Sequence, residues 1–169
     1  NLFSSIDDSD NTGVAYKLNY ISKKNLNKFN LTTELDINYI ENDFNSIERI
    51  YNTEFNRDWD LNEDILRNYN QLFTNGILEL SNEKFGVLNY GFENLKYGNN
   101  FNGIRNTLNI NSNKNKNLKI NSNNSFMQSY QEDYNSDFIN SNNYIRLNHK
   151  IGWAEVNYNY ERKKSNGIQ

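Results

Sequence analysis

The stretch IERIYNTEFNRDWDL, residues 47–61, decides how the chain is read. Side chains of a strand point alternately to opposite faces. One face carries Ile47, Arg49, Tyr51, Thr53, Phe55, Arg57, Trp59 and Leu61; the other carries Glu48, Ile50, Asn52, Glu54, Asn56, Asp58 and Asp60. That is an apolar, aromatic face with two arginines, backed by a polar and mostly acidic one. Helical spacing gathers no such stripe, so the stretch reads as a long antiparallel strand, packed on one side and wet on the other.

The same alternation recurs on both sides of it. Val14–Ile21 and Leu31–Ile40 alternate and read as a hairpin around a polar turn at Ser22–Asn30. Gln71–Ser81 and Phe85–Leu95 read as the next two strands, with a tight turn at Asn82–Lys84. Gly98–Asn100 and Gly103 are turn signals before a strand at Ile104–Ser112. Asn113–Asn117 is a polar turn, and Leu118–Tyr130 a strand interrupted by Ser122 and Asn124. Gln131–Asn143 reads as a long polar loop. Tyr144–Arg162 reads as one last run whose phase slips at Gly152, as a β-bulge would make it. Asn62–Asn70 is ambiguous: a short helix capped by Asn62, or a loop or strand entry.

Eight alternating runs joined mostly by short polar turns predict an all-β, antiparallel up-and-down meander, either a barrel or part of a larger barrel or sheet. A chain of 169 residues is expected to be one unit, 1–169. It starts at Asn1 without Met and stops after a strand-like run, so a piece of a longer protein is expected.

Composition narrows the function classes. Mean hydropathy is -0.96 and hydrophobic residues are 36%, but aromatics reach 14% and net charge is only -3, which argues against simple disorder. With 18 basic against 21 acidic residues and no basic block beyond Lys23-Lys24 and Arg162-Lys163-Lys164, nucleic-acid binding has little to work with. There is no Cys and a single His, His149, so disulfides, thiolate sites and multi-histidine metal sites are excluded. The absence of Pro suits long ladders, since Pro removes a ladder donor.

Candidate chemistry is sparse. Asp8, Asp10, Thr12 and Gly13 fit the early places of a calcium loop, but the twelfth place is Asn19 instead of Glu; an Asp/Asn-rich turn is the plainer reading. Asp58 and Asp60, about 7 Å apart on a strand, meet the spacing of a glycosidase carboxylate pair; a solvated acidic strand explains them as well. His149, in phase between Leu147 and Ile151, reads as a packed or boundary histidine. Trp59 and Trp153 are candidate ligand or interface aromatics, with core packing as the alternative. No catalytic residue, cofactor or metal is expected.

Strands of this length, aromatic-rich and alternating, are also the pattern of a transmembrane β-barrel. Against it, the runs from Ile104 and Leu118 place Asn106, Ser122 and Asn124 on the apolar face. The combination of IERIYNTEFNRDWDL with LNYGFENLKYG (88–98) and RNTLNINSNKN (105–115) resembles long strand-rich cell-envelope proteins of Bacteroidota. The resemblance implies the outer membrane or cell envelope and a structural or transport role instead of an enzymatic one. Partners would be other envelope proteins, the rest of its own chain, or outer-membrane lipid. The alternative is a periplasmic or extracellular β-sheet that binds protein or glycan.

Overall fold

The computed structural model describes residues 2–6, 12–44, 59, 61, 69–112, 117–131 and 134–167. They form one antiparallel sheet of nine strands and no helix. The strands are β1 (Leu2–Ile6), β2 (Thr12–Leu26), β3 (Phe29–Ile40), β4 (Gln71–Asn82), β5 (Gly86–Tyr97), β6 (Phe101–Ser112), β7 (Leu118–Gln131), β8 (Tyr134–His149) and β9 (Gly152–Gly167). They lie side by side in chain order, each paired with its sequence neighbours. Among the described residues β1 and β9 do not pair with each other, so the sheet is open here.

The turns follow from local chemistry. Between β2 and β3 only Asn27 and Lys28 turn the chain, with Asn27 at φ 55°, a conformation Asn tolerates better than most residues. Between β4 and β5 the Asn82 side chain accepts from the Lys84 and Phe85 amides at 2.8 and 3.0 Å and donates to the Lys28 carbonyl. That last bond ties two neighbouring hairpin ends together.

Several expectations need correction. The polar stretch Ser22–Asn30 is almost all strand, with a two-residue turn inside it. Gly103 lies inside β6 and marks no turn, and Ser122 and Asn124 do not interrupt β7. Gln131–Asn143 is no loop: most of it is the first part of β8. Asn disfavours strands in general, but here Ser141 and Asn143 pair side chain to side chain with β7, as described below. The run Tyr144–Arg162 is two strands, and there is no bulge at Gly152. His149 faces Gly152 across a turn of Lys150 and Ile151. In a hairpin whose loop holds an even number of residues, odd positions on one strand face even positions on the other. The turn itself therefore produces the phase slip.

The other expectations fall partly outside the described residues. Of the stretch 47–61, residues 47–58 and 60 lie outside them; Trp59 is in a turn and Leu61 is not in a strand. Asp8 and Asp10 lie outside them too, while Thr12, Gly13 and Asn19 belong to β2. Asn62 to Asn68 also lie outside the described residues; Tyr69 and Asn70 are not helical.

Candidate functional site

The register assigns every strand residue to one of two faces. On the first, cross-strand rows are polar. One row runs Glu34, Ile77, Gly91, Thr107, Ser125, Asn140, Glu161. The next runs Thr32, Glu79, Asn89, Asn109, Asn123, Asn142, Asn159. Neutral amides line much of it, and they bond along the strand, as Asn142 Nδ2 does to Asn140 Oδ1 at 2.7 Å.

Near the end of the sheet where β3 leads on to β4, this polar face carries an apolar cluster. Trp59, Leu95, Tyr97, Phe101 and Met127 are its buried members, with Leu61, Tyr69, Phe73 and Phe138 packed against them. Trp59 comes from the segment 41–70 between β3 and β4, and is buried against the sheet. Its ring meets Phe73 edge-on at 6.4 Å, and the Arg105 guanidinium lies 4.6 Å from its centroid. Arg105 also pairs with Glu93 at 3.2 Å and donates to the Met127 sulfur at 3.6 Å. Gly103 makes room for the indole, since a Cβ there would stand 2.7 Å from Trp59 Cε3. Beside this seat Ser129 and Ser136 oppose each other across β7 and β8, both buried, with neither hydroxyl hydrogen-bonded among the described residues.

Both ends of segment 41–70 are tied down. The Glu41 amide donates to Val14 O at 3.0 Å, and Glu41 Oε2 accepts from the Val14 amide at 3.0 Å. The Asn70 side chain joins the two ends, accepting from the Asn42 amide at 3.0 Å and donating to the Tyr39 hydroxyl at 3.1 Å. Tyr69 packs on Gly98 (φ 52°), and its hydroxyl accepts from Asn100 Nδ2 at 2.8 Å.

The second face is apolar. It shows Tyr16, Leu18 and Tyr20 on β2; Tyr39, Ile37, Leu35 and Leu31 on β3; and Leu72, Leu78 and Leu80 on β4. Leu88, Tyr90 and Phe92 on β5 and Ile104, Leu108 and Ile110 on β6 continue it. Phe126, Ile120 and Leu118 on β7, Ile139, Ile145 and Leu147 on β8, and Ala154, Val156, Tyr158 and Tyr160 on β9 complete it. Many of these are open to the surroundings: Leu18 is 56% exposed, Leu147 52% and Val156 61%. Contiguous exposed apolar surfaces are the kind that protein and membrane contacts use.

The two candidate tryptophans therefore part company. Trp59 is a core residue. Trp153, 67% exposed, lies on β9 with the Arg146 guanidinium 5.2 Å from its ring. His149 is the exposed last residue of β8, its Nδ1 accepting from the Ile151 amide at 3.5 Å. Asp58 and Asp60 lie outside the described residues. Among the described residues no three His, Asp or Glu come close enough to hold a metal ion. The signal the sequence reading missed is Gly103: taken as a turn, it is the notch in a strand that seats Trp59.

No family model, no curated protein and no solved structure matches the chain. No helix among the described residues is long and apolar enough to cross a membrane, which bears on helical spans alone.

Proposed function

We propose that this chain forms part of the wall of an outer-membrane β-barrel of a bacterial cell envelope, with a structural or transport role and no catalytic one. The observation that carries the reading is the slant of the apolar belt. On β2 the belt is centred on Leu18. Following directly opposed partners from Leu18 leads through Ile37, Thr74, Asn94, Ile104, Gln128 and Asp137 to Lys164 on β9. The belt on β9 instead centres between Val156 and Tyr158, eight and six residues back along the strand. Over the seven steps from β2 to β9, the belt thus slips about one residue per strand.

A belt level with a membrane must cross tilted strands in this way. A slip of about 3.3 Å along the strand for each roughly 4.8 Å step across it corresponds to a tilt of about 35°. Strands of closed and transmembrane barrels tilt by about 35–45°. A sheet that packed its apolar face on a second sheet has no need of such a slant. The long strands, 12 residues or more from β2 to β9, supply the span. At about 3.3 Å per residue they reach about 40 Å, enough to cross a hydrocarbon layer of about 30 Å at that tilt. The polar face would then meet water, with Trp59 and Leu61 covering part of it at one end.

β1 and β9 run in the same direction, because eight reversals separate them. An all-antiparallel ring that includes both β1 and β9 therefore takes at least one further strand between them.

Size-exclusion chromatography with light scattering and far-UV circular dichroism on residues 1–169 tests the reading, in plain buffer and in detergent. Folding into a monodisperse β protein only with detergent or lipid is the expected result. A monodisperse folded protein in plain buffer would sink the membrane reading and favour a soluble sheet that binds protein or glycan.

A further inference from the structure

Inside the apolar belt, on β7 and β8, lie four polar side chains: Ser122, Asn124, Ser141 and Asn143. Ser122 opposes Asn143 and Asn124 opposes Ser141, so the four form a square on one face. Their hydrogen bonds run in a closed circle. Ser122 Oγ donates to Asn143 Oδ1 at 2.5 Å, and Asn143 Nδ2 donates to Ser141 Oγ at 2.8 Å. Ser141 Oγ donates to Asn124 Oδ1 at 2.6 Å, and Asn124 Nδ2 donates back to Ser122 Oγ at 2.8 Å. Each side chain gives one bond and takes one. Asn124 Nδ2 also reaches the Leu108 carbonyl at 3.4 Å. Above the square stand Phe126 and Ile139, below it Ile120 and Ile145, and beside it on β9 Tyr158 and Tyr160.

Four polar residues surrounded by apolar ones would ordinarily call for water or a polar partner, because unpaired polar groups are costly away from water. This square meets much of that need itself, since both hydroxyl protons, both amide oxygens and one N–H of each amide bond within it. We infer that the Ser122–Asn143–Ser141–Asn124 ring is a sealed polar patch that lets the β7–β8 hairpin face lipid acyl chains directly. The inference rests on the membrane reading above and names what contacts this part of the surface. A ring facing water would gain little from closing, because water would satisfy each group separately.

The ring behaves as a unit only if it is sealed. Opening it at one corner leaves neighbours unpaired in hydrocarbon, whereas replacing all four corners with apolar groups leaves nothing unpaired. The test uses residues 1–169 refolded into phosphatidylcholine vesicles, with urea unfolding followed by circular dichroism. Asn143→Leu or Asn124→Leu alone should lower the folded-to-unfolded ratio by about tenfold or more. The quadruple variant S122A/N124L/S141A/N143L should recover to within about threefold of the parent, or surpass it. Single changes that are small and simply additive would overturn the ring.

A second measurement does not depend on weakened variants. Ile145→Trp, made with Trp153→Phe, places an indole next to an intact ring on the same face. Vesicles with brominated acyl chains should quench it, while Trp59 alone, in Trp153→Phe, stays unquenched. No added quenching at residue 145 would overturn the acyl contact. A parent protein that folds without lipid or detergent would overturn both this inference and the membrane reading. A parent that needs lipid but shows additive ring variants would overturn this inference alone.

Discussion

The polar and apolar faces each carry a patch of the other's chemistry, and the two patches are held in different ways. The apolar patch on the polar face is sealed from outside: Trp59 packs with Phe73, Leu95 and Gly103, and Arg105 lies against the ring. The polar patch on the apolar face is sealed from within, by four side chains that bond one another. Apolar groups have no directional bonds to close, so only coverage removes them from water. Polar groups can close on themselves and need no cover.

The covered patch should be the more fragile. Trp59→Ala removes the largest buried side chain in the described residues and should cost about 3–5 kcal/mol of stability, measured by urea unfolding in the medium that supports folding. A loss below about 1 kcal/mol would mean that the segment contributes little to holding the sheet.

A charge placed on each face in turn comes next. Leu108→Arg puts a cation in the belt and should cost about 2–4 kcal/mol in a lipid-refolded protein. Asn109→Arg, one residue on and on the polar face, should cost less than about 0.5 kcal/mol. Equal costs on the two faces would erase the distinction between them.

Gly103→Val tests the notch itself. The added side chain must displace the indole or the strand, at about 1–3 kcal/mol. In a Trp153→Phe background the emission of Trp59 should shift to the red and become open to acrylamide. Unchanged emission would show that the indole sits elsewhere. The smallest effect runs the other way. Replacing both Ser129 and Ser136 with Ala removes two buried hydroxyls that are unbonded among the described residues, and should stabilise by about 1 kcal/mol.

Strand alternation was legible in the sequence wherever Val, Ile, Leu and Tyr supplied it, as from Leu31 to Ile40 and from Gln71 to Leu95. It faded where Ser and Asn took over. Ser136 and Ser141 look like loop residues in sequence because their strand propensity is low; their partners lie one strand away on β7 and β9. The Trp59 seat was illegible for a related reason. Trp59 reaches across 44 positions to sit against Gly103, and nothing local to Gly103 separates a notch from a turn.

The sequence by itself determined that this chain is an antiparallel β-meander with one apolar and one polar side, because a period of two is a local property of the backbone. It also determined which residue types were present to serve as sites, and which were missing. Only the tertiary structure decided how many strands there are, where the hairpins turn, and that the apolar belt slants across them. Register decided these, since it brings distant side chains into one row. Through register, four polar residues that looked misplaced on an apolar face became a closed ring.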